Sequence, residues 1–438
     1  MSLRERYRAV AECLVEAHPI PELPAGFVPQ GIARLPDSST VALSLYHDRG
    51  RRASILVLVD GESGTHLGSL PLHVNGSPLV GHVGGIAVCR GYLWVASEGR
   101  LYRFKSPSAE AAIDGVLSSE MSFAVDSEAD CLSSQGDLLW VGEFAHGSRY
   151  RTASHHRQNG CAAWAAAYRV DEAGMIDSTA TYEVGGRSVL RPELVVFVPD
   201  QVQGIAFRED FIAISTSYGP ADSRLTVYDS PLTQQPLAVE LHSGGTVPGY
   251  VLDEQKTVVR MALPAGAEDL EWSGRQLLVG FEGAARRYRS RWSLSGAFIE
   301  DRYYVLDPVA DALPADGQVR VRIDATDPGW RPAGVRLLPG QSLEVRCQGR
   351  ITLQKHRLDD YPYVTADGQS GELRSSSGVR GPNGCLLVKI GVKVYAAGAN
   401  LVIDPETAGE VQLAILENGD PANNDGSFSV ELTVRNRN

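Results

Sequence analysis

Long apolar runs are missing from this 438-residue chain, and none approaches the roughly 20 apolar residues that span a bilayer. The opening Met1-Ser-Leu-Arg-Glu-Arg-Tyr-Arg8 is charged and leads into no apolar segment, so no secretion signal is expected. Basic excess is missing as well. The balance of 41 Lys and Arg against 53 Asp and Glu gives a formal charge of −12, which argues against nucleic acid or an anionic membrane as partner. Six cysteines, at 13, 89, 131, 161, 347 and 385, show no CxxC spacing. That pattern speaks against a disulfide frame or a zinc finger and for reduced thiols. Cys347 and Cys385, both on expected strands, are the one pair that could bridge. No Walker loop, dinucleotide fingerprint or Gly-x-Ser-x-Gly elbow is present, so nucleotide, redox-cofactor and serine-hydrolase chemistry is not indicated. The cytoplasm is the default address, with leaderless export left open.

What is present describes a turn-rich globular protein, with 43% hydrophobic residues, 45 Gly and 24 Pro. The length suits two or three domains. Residues Leu3 to Ala17 carry an amphipathic helical pattern. Beyond them the chain repeats itself. Pro29-Gln-Gly-Ile-Ala33, Gly81-His-Val-Gly-Gly-Ile-Ala-Val88, Ala129-Asp-Cys-Leu-Ser133, Val202-Gln-Gly-Ile-Ala-Phe207 and Ala267-Glu-Asp-Leu-Glu-Trp272 share one pattern. Each is followed by a short turn and a second apolar strand, as in Thr40–Tyr46, Tyr92–Ser97 and Gln276–Phe281. The repeat starts Gln30, His82, Asp130, Gln203 and Glu268 lie 52, 48, 73 and 65 residues apart by subtraction of their numbers. A four-stranded unit of that length is a propeller blade. Five blades are expected over 21–307, after an N-terminal helical segment over 1–20. The long third interval leaves a sixth open.

Propeller geometry places the start of each blade's first strand beside the end of its second. Gln30, His82, Asp130, Gln203 and Glu268 should therefore meet Tyr46, Glu98, Glu143, Tyr218 and Glu282 at one end of the channel. His82, Asp130, Tyr218, Glu268 and Glu282 are the acid–base candidates, with His82 as base or metal ligand and Tyr218 as proton donor. Gln30, Tyr46, Glu98, Glu143 and Gln203 are candidate ligand contacts. Crowded carboxylates there need a proton, an Arg partner or a divalent cation, so a second cation in the propeller channel is one expectation. The basic run Arg286-Arg-Tyr-Arg-Ser-Arg291 reads as a solvated strand edge or an anion contact. His146, His155 and His156 sit in a polar insertion read as a mobile loop over the same face.

After an Ala/Asp/Pro-rich linker over 308–317 the character changes. Asn418-Gly-Asp-Pro-Ala-Asn-Asn-Asp425 packs hard oxygen ligands into one loop, which suits Ca²⁺. Gly334-Val-Arg-Leu-Leu-Pro-Gly-Gln-Ser-Leu-Glu-Val345, Gly384-Cys-Leu-Leu-Val-Lys-Ile-Gly391 and Asn423-Asn-Asp-Gly-Ser-Phe-Ser-Val430 follow in order. With these motifs, residues 318–438 resemble the LecA-type bacterial galactose lectins, small β-sandwiches that hold sugar hydroxyls on calcium. The resemblance implies calcium ligands at Asp420, Asn423 and Asn424 and at a backbone carbonyl near Leu353. It implies sugar contacts nearest Asp367 and Gln369, in a stretch that lacks the family's His. The expectation is thus an all-β protein, a propeller followed by a lectin-like sandwich, with a glycan or other small molecule as ligand. It reads first as a calcium-dependent carbohydrate-binding protein whose propeller face is a second polar pocket. The alternatives are an enzyme with its active site on the propeller (a glycan hydrolase or lyase, or a metal-assisted cyclase) and a scaffold for protein partners.

Overall fold

The computed structural model describes residues 2–436 apart from 37–38, 109–114, 120, 243, 310–317, 328, 338–340, 377, 406–408, 418 and 420. Residues 310–317 of the expected linker, and Asp420, lie outside the described residues. The chain divides into two compact units, Met1–Pro308 and Val309–Asn438.

The first unit is a propeller of five blades, each built on four antiparallel strands. Blade 1 runs Phe27–Arg34, Thr40–His47, Ile55–Asp60 and His66–Val74, and blade 2 runs Ile86–Cys89, Tyr92–Ser97, Arg100–Lys105 and Met121–Ala124. Blade 3 runs Cys131–Gln135, Leu138–Gly142, Ala163–Arg169 and Leu194–Val198. Blade 4 runs Val202–Phe207, Phe211–Thr216, Ser223–Asp229 and Thr257–Leu263. Blade 5 takes Ala267–Ser273, Gln276–Phe281 and Arg302–Leu306 from the end of the unit, and Leu14–Pro19 from its start. The ring is closed by that last pairing.

The closing strand corrects the expected helix. Helical turns cover only Leu3–Arg6 and Arg8–Cys13, and Leu14–Pro19 pairs antiparallel with Arg302–Leu306. Of the strand's side chains only His18 is buried, so it shows no apolar alternation. What holds it extended is a ladder of backbone hydrogen bonds to residues almost 300 positions away, a partner that local periodicity cannot reveal. No sixth blade forms among the described residues. The surplus length of the third interval decorates blade 3 as an insertion after Gly142 and a hairpin of Thr181–Val184 with Arg187–Leu190.

Second strands such as Thr40–His47 are buried along their whole length, packed between neighbouring blades, which explains their continuous apolar sequence. First strands crowd the axis. A Cβ on Gly204 would stand 2.5 Å from the Glu268 carbonyl oxygen, and one on Gly85 2.4 Å from the Leu132 nitrogen. Glycine lets the blades approach that closely. Serine hydroxyls stitch the blades together: Ser44 donates to the Gly84 carbonyl at 2.8 Å and Ser215 to the Glu268 carbonyl at 2.6 Å. Asp269 accepts from the Ile86 N–H at 3.1 Å, tying blade 5 to blade 2.

The second unit is a β-sandwich of two four-stranded sheets. One orders Gln318–Asp324, Asp425–Asn436, Gln341–Thr352 and Asn400–Ile403; the other orders Arg331–Leu337, Gly409–Ile415, Leu386–Ile390 and Lys393–Ala396. Alternate residues of facing strands fill the core, with Phe428, Val430 and Leu432 meeting Leu386, Val388 and Ile390 in one cluster. Cys347 and Cys385 are both buried and, like the other four cysteines, are free thiols. Among the described residues no helix is long and apolar enough to cross a membrane.

Candidate functional site

At one end of the propeller lies a cavity of about 880 Å³. Its residues arrive there through strand irregularities. Ladder pairing slips between Pro29 and Gly31, between Val202 and Gly204, and between Ala267 and Leu270. A bulge of this kind turns a side chain off the strand's regular alternation. It is how Gln30, Gln203 and Glu268 come to face the cavity rather than a neighbouring blade.

Eight of the ten residues expected on this face line the cavity: Gln30, His82, Asp130, Glu143, Gln203, Tyr218, Glu268 and Glu282. The other two do not. Tyr46 is buried behind the wall, its ring 4.4 Å from that of His82 and its hydroxyl 3.2 Å from Arg287. Glu98 occupies a turn just after Ser97 with φ of 49° and points to solvent, because the second strand ends one residue before it.

The carboxyl groups are crowded and poorly hydrated. Glu268 is only 3% exposed, and its Oε1 has no hydrogen-bond partner. Burial first, and then the neighbouring Glu282, hold its protonation well above the ordinary carboxylate range. Glu282 is pushed up to about 7, again by burial, while Tyr288 and Gln30 partly stabilise its charge. Gln30 reaches it at 3.5 Å. Asp130 is also pushed up to about 7 by burial, against the pull of the Phe144 N–H that donates to it at 2.7 Å. His82 goes the other way, down to about 4, through desolvation by the cavity walls and then the charge of Arg287. At neutral pH it is a neutral imidazole.

Several cavity residues were not anticipated. Arg149, Arg151, Arg187, Arg287 and Arg291 also line the cavity, and the charge of Arg287 acts on Glu282. The run Arg286–Leu294 is a helix, not a strand edge. Tyr288 and Trp292, one turn apart, stack at 4.7 Å, and Trp292 is buried beneath the helix. Arg287 and Arg291 share the cavity side of that helix, whereas Arg286 pairs with Asp48 at 2.9 Å. The spacing of Tyr288 and Trp292 was the available signal for a helix. At the mouth Phe144, Tyr150 and Tyr218 form an aromatic group; Tyr150 meets Phe144 edge-on at 5.2 Å, and His146 lies 4.0 Å from Tyr218. Tyr218 is 40% exposed, at the rim rather than the floor.

The insertion is anchored by its histidines. His156 is buried, stacked on Trp164 at 3.9 Å, with Nδ1 2.8 Å from Glu143 Oε1. Burial opposes its charge, but Asp126 and Glu143 outweigh burial and raise it to about 9.

In the sandwich, Asn424 is buried and donates to the Ala325 carbonyl at 2.9 Å and to Glu417 at 2.6 Å. Its Oδ1 is buried with no partner, which is the arrangement a hard cation would complete. The Asn423 side chain is exposed and its carbonyl accepts from the Lys355 N–H at 2.8 Å. Leu353 is part of the sandwich core. Asp367 accepts from the Ala399 N–H at 2.8 Å, and Gln369 donates to the Asp360 carbonyl at 3.2 Å. Both tie together loops of the sandwich.

No protein-family model matches the chain, and no curated relative matches it. Among solved structures, a PllA-like lectin, the EclA N-terminal domain, aligns over 28% of this chain and all of its own length, at 20% identity and TM-score 0.23. An exo-beta-1,3-galactanase from Phanerochaete chrysosporium aligns over 96% of both chains at 11% identity and TM-score 0.34. A GH43_1 enzyme from Xanthomonas citri aligns over 68% of this chain and 91% of its own, at 12% identity and TM-score 0.34. Likenesses this distant leave the chemistry of the cavity to its own residues.

Proposed function

We propose that the propeller cavity binds a glycan and cleaves it by acid–base hydrolysis, and that the sandwich is a calcium-dependent glycan-binding module. The observation that carries this reading is the combination of Asp130 and Glu282, carboxyls that burial brings close to neutral pH, with an aromatic mouth above them. Sugars present apolar C–H faces and a dense set of hydroxyls. Phe144, Tyr150 and Tyr218 offer surface for the faces, and the carboxylates, Gln30, Gln203 and arginines offer partners for the hydroxyls.

A carboxyl with a pKa near the working pH is suited to give its proton to a leaving glycosidic oxygen. Glu282 or Asp130 would fill that role. A neighbouring ionised carboxylate would accept the proton of the attacking water, and the bond between anomeric carbon and leaving oxygen breaks as the new C–O bond forms. Arg287 and Arg291 would orient the substrate. In the sandwich, Asn423 and Asn424, with Asp420 and the carbonyl near Leu353, would hold Ca²⁺, which supplies a Lewis-acidic anchor for sugar hydroxyls.

The test is reducing-end release from a panel of polysaccharides by the full chain, with Glu282→Gln and Asp130→Asn beside it. Cleavage that falls on the order of 10²- to 10⁴-fold in one or both variants supports the assignment. A panel on which the folded wild type binds and cleaves nothing would sink it.

A further inference from the structure

Beside the carboxylates a second cluster has a different composition. Asp126 follows the outer strand of blade 2, and His155 and His156 close the short turn Ser154–His156 of the blade 3 insertion. One ligand atom from each of the three lies within 4.8 Å of the other two. His155 Nε2 is 2.6 Å from Asp126 Oδ2, and His156 Nε2 is 3.3 Å from the same oxygen.

The orientation of His156 is the telling feature. Its Nδ1 is 2.8 Å from Glu143 Oε1, so Nδ1–H donates to that carboxylate. Nε2 is buried, makes no well-aligned hydrogen bond and faces the Asp126 oxygen at 3.3 Å; once its proton is displaced it presents a lone pair to that oxygen. His156 is 2% exposed, so water does not relieve this. The two atoms need a positive centre between them in this dry wall: without an ion it is the imidazolium proton, and a bound metal would take that proton's place. A carboxylate behind the far nitrogen of a histidine is the usual support of a metal ligand, since it fixes the tautomer and the ring plane. Tyr182 gives Asp126 similar support, its hydroxyl donating to Oδ2 at 2.5 Å.

We propose that Asp126, His155 and His156 form a site for a divalent transition metal of the zinc class in the wall of the propeller cavity. Two imidazole nitrogens and one carboxylate oxygen suit zinc-like ions better than Ca²⁺ or Mg²⁺, which prefer all-oxygen shells. This ion is therefore distinct from the one the sandwich loop would take. Ligand atoms 2.6 Å apart must separate somewhat, because tetrahedral zinc at bond lengths of roughly 2.0–2.2 Å spaces its ligands more widely. Asp126 and His156 both line the cavity, so the fourth position would open toward it and take water or a substrate oxygen. His155 would carry its remaining proton on Nδ1, and any proton that the ion displaces passes to solvent. The inference does not rest on the glycan reading, since loading with metal is read without substrate.

The experiment uses the tag-free full chain, stripped with chelator and titrated with Zn²⁺ by calorimetry and with Co²⁺ by visible absorption. The expected result is one saturable site per chain whose Co²⁺ form shows intense tetrahedral d–d bands. Those bands should vanish in Asp126→Asn and His155→Ala. Glu143→Gln should keep the site but weaken it about 10- to 100-fold, as loss of an outer partner does. His156→Gln, buried against Trp164, is read only if its circular dichroism matches the wild type; His155→Ala, less buried, keeps the test decisive. Absence of saturable binding, or binding that survives both Asp126→Asn and His155→Ala, would overturn the site and leave a buried histidine–carboxylate ion pair.

Discussion

The propeller cavity and the sandwich loop handle polar groups in opposite ways. In the cavity, burial drives carboxyls toward their neutral forms, as at Asp130, Glu268 and Glu282. In the sandwich, described carboxylates are held ionised by partners: Tyr363 pulls Asp425 down, and Arg346 does the same for Glu344. A group forced from its preferred charge state is a store of reactivity, whereas one satisfied by a partner serves the fold. Among the described residues of the loop, Asn424 Oδ1 is buried without a partner and cannot be ionised; only an added donor or cation can complete it. On the proposed reading, the first region would serve proton transfer and the second capture of an ion.

The sharpest way to break this contrast is to neutralise the cavity carboxyls permanently. Glu282→Gln and Asp130→Asn should lose the cleavage proposed above by several powers of ten while keeping the fold. Matching losses from Asp425→Asn, in the sandwich, would erase the distinction between the regions.

Next in size is the anchor of the arginine-bearing helix. Trp292 is fully buried under Arg286–Leu294 and stacks on Tyr288. Trp292→Ala should cost about 3–5 kcal/mol of stability, measured by denaturant unfolding. It should also weaken ligand binding, because Arg287 and Arg291 ride on that helix. Unchanged stability would mean that the helix is not pinned by its tryptophan.

A smaller effect is expected from calcium. At 100-fold excess over its dissociation constant, Ca²⁺ would stabilise the unit that binds it by about 2.7 kcal/mol. Calorimetry on the full chain should find a site that Asn423→Ala, an exposed position, weakens without disturbing the core. Equal calcium binding by wild type and variant would remove Asn423 from the ligand set.

Much of this was legible in the sequence, for reasons that can be named. Gln30-Gly31 and Gln203-Gly204 stood out because a bulge beside a close inter-blade approach needs a polar residue followed by glycine. The lectin-like motifs stood out because they are contiguous. Glu98 was misplaced because strand ends shift by a residue or two, and one residue past Ser97 the chain has already turned outward. Leu14–Pro19 was hidden because its partner closes the ring from the other end of the unit. Asp126 had no signal at all, and His155 was seen only as part of a polar insertion: the two sit in separate loops, 29 residues apart, and only the fold joins them.

The last prediction concerns pH and sharpens the comparison thermodynamically. Asp130 and Glu282 titrate near 7 in the folded protein, against ordinary values of 3.8 and 4.5. Below those lower values both states are protonated, and the stabilisation from keeping the proton is fully present. As pH rises toward 7 the unfolded chain ionises first, so stability falls, by about 1.4 kcal/mol per pH unit for each group across the window. Above about 7 the native groups ionise too and the decline levels off. Asp425 and Glu344 contribute with the opposite sign, since their depressed values add stability above the ordinary carboxylate range and lose it in acid. The propeller transition should therefore move down between about pH 4 and 7 while that of the sandwich stays flat, as followed by calorimetric scans. Glu282→Gln with Asp130→Asn should flatten the propeller's slope. A wild-type propeller transition that did not move over that range would mean that the cavity carboxyls are ionised in the folded protein, and the acid role proposed for them would fall with it.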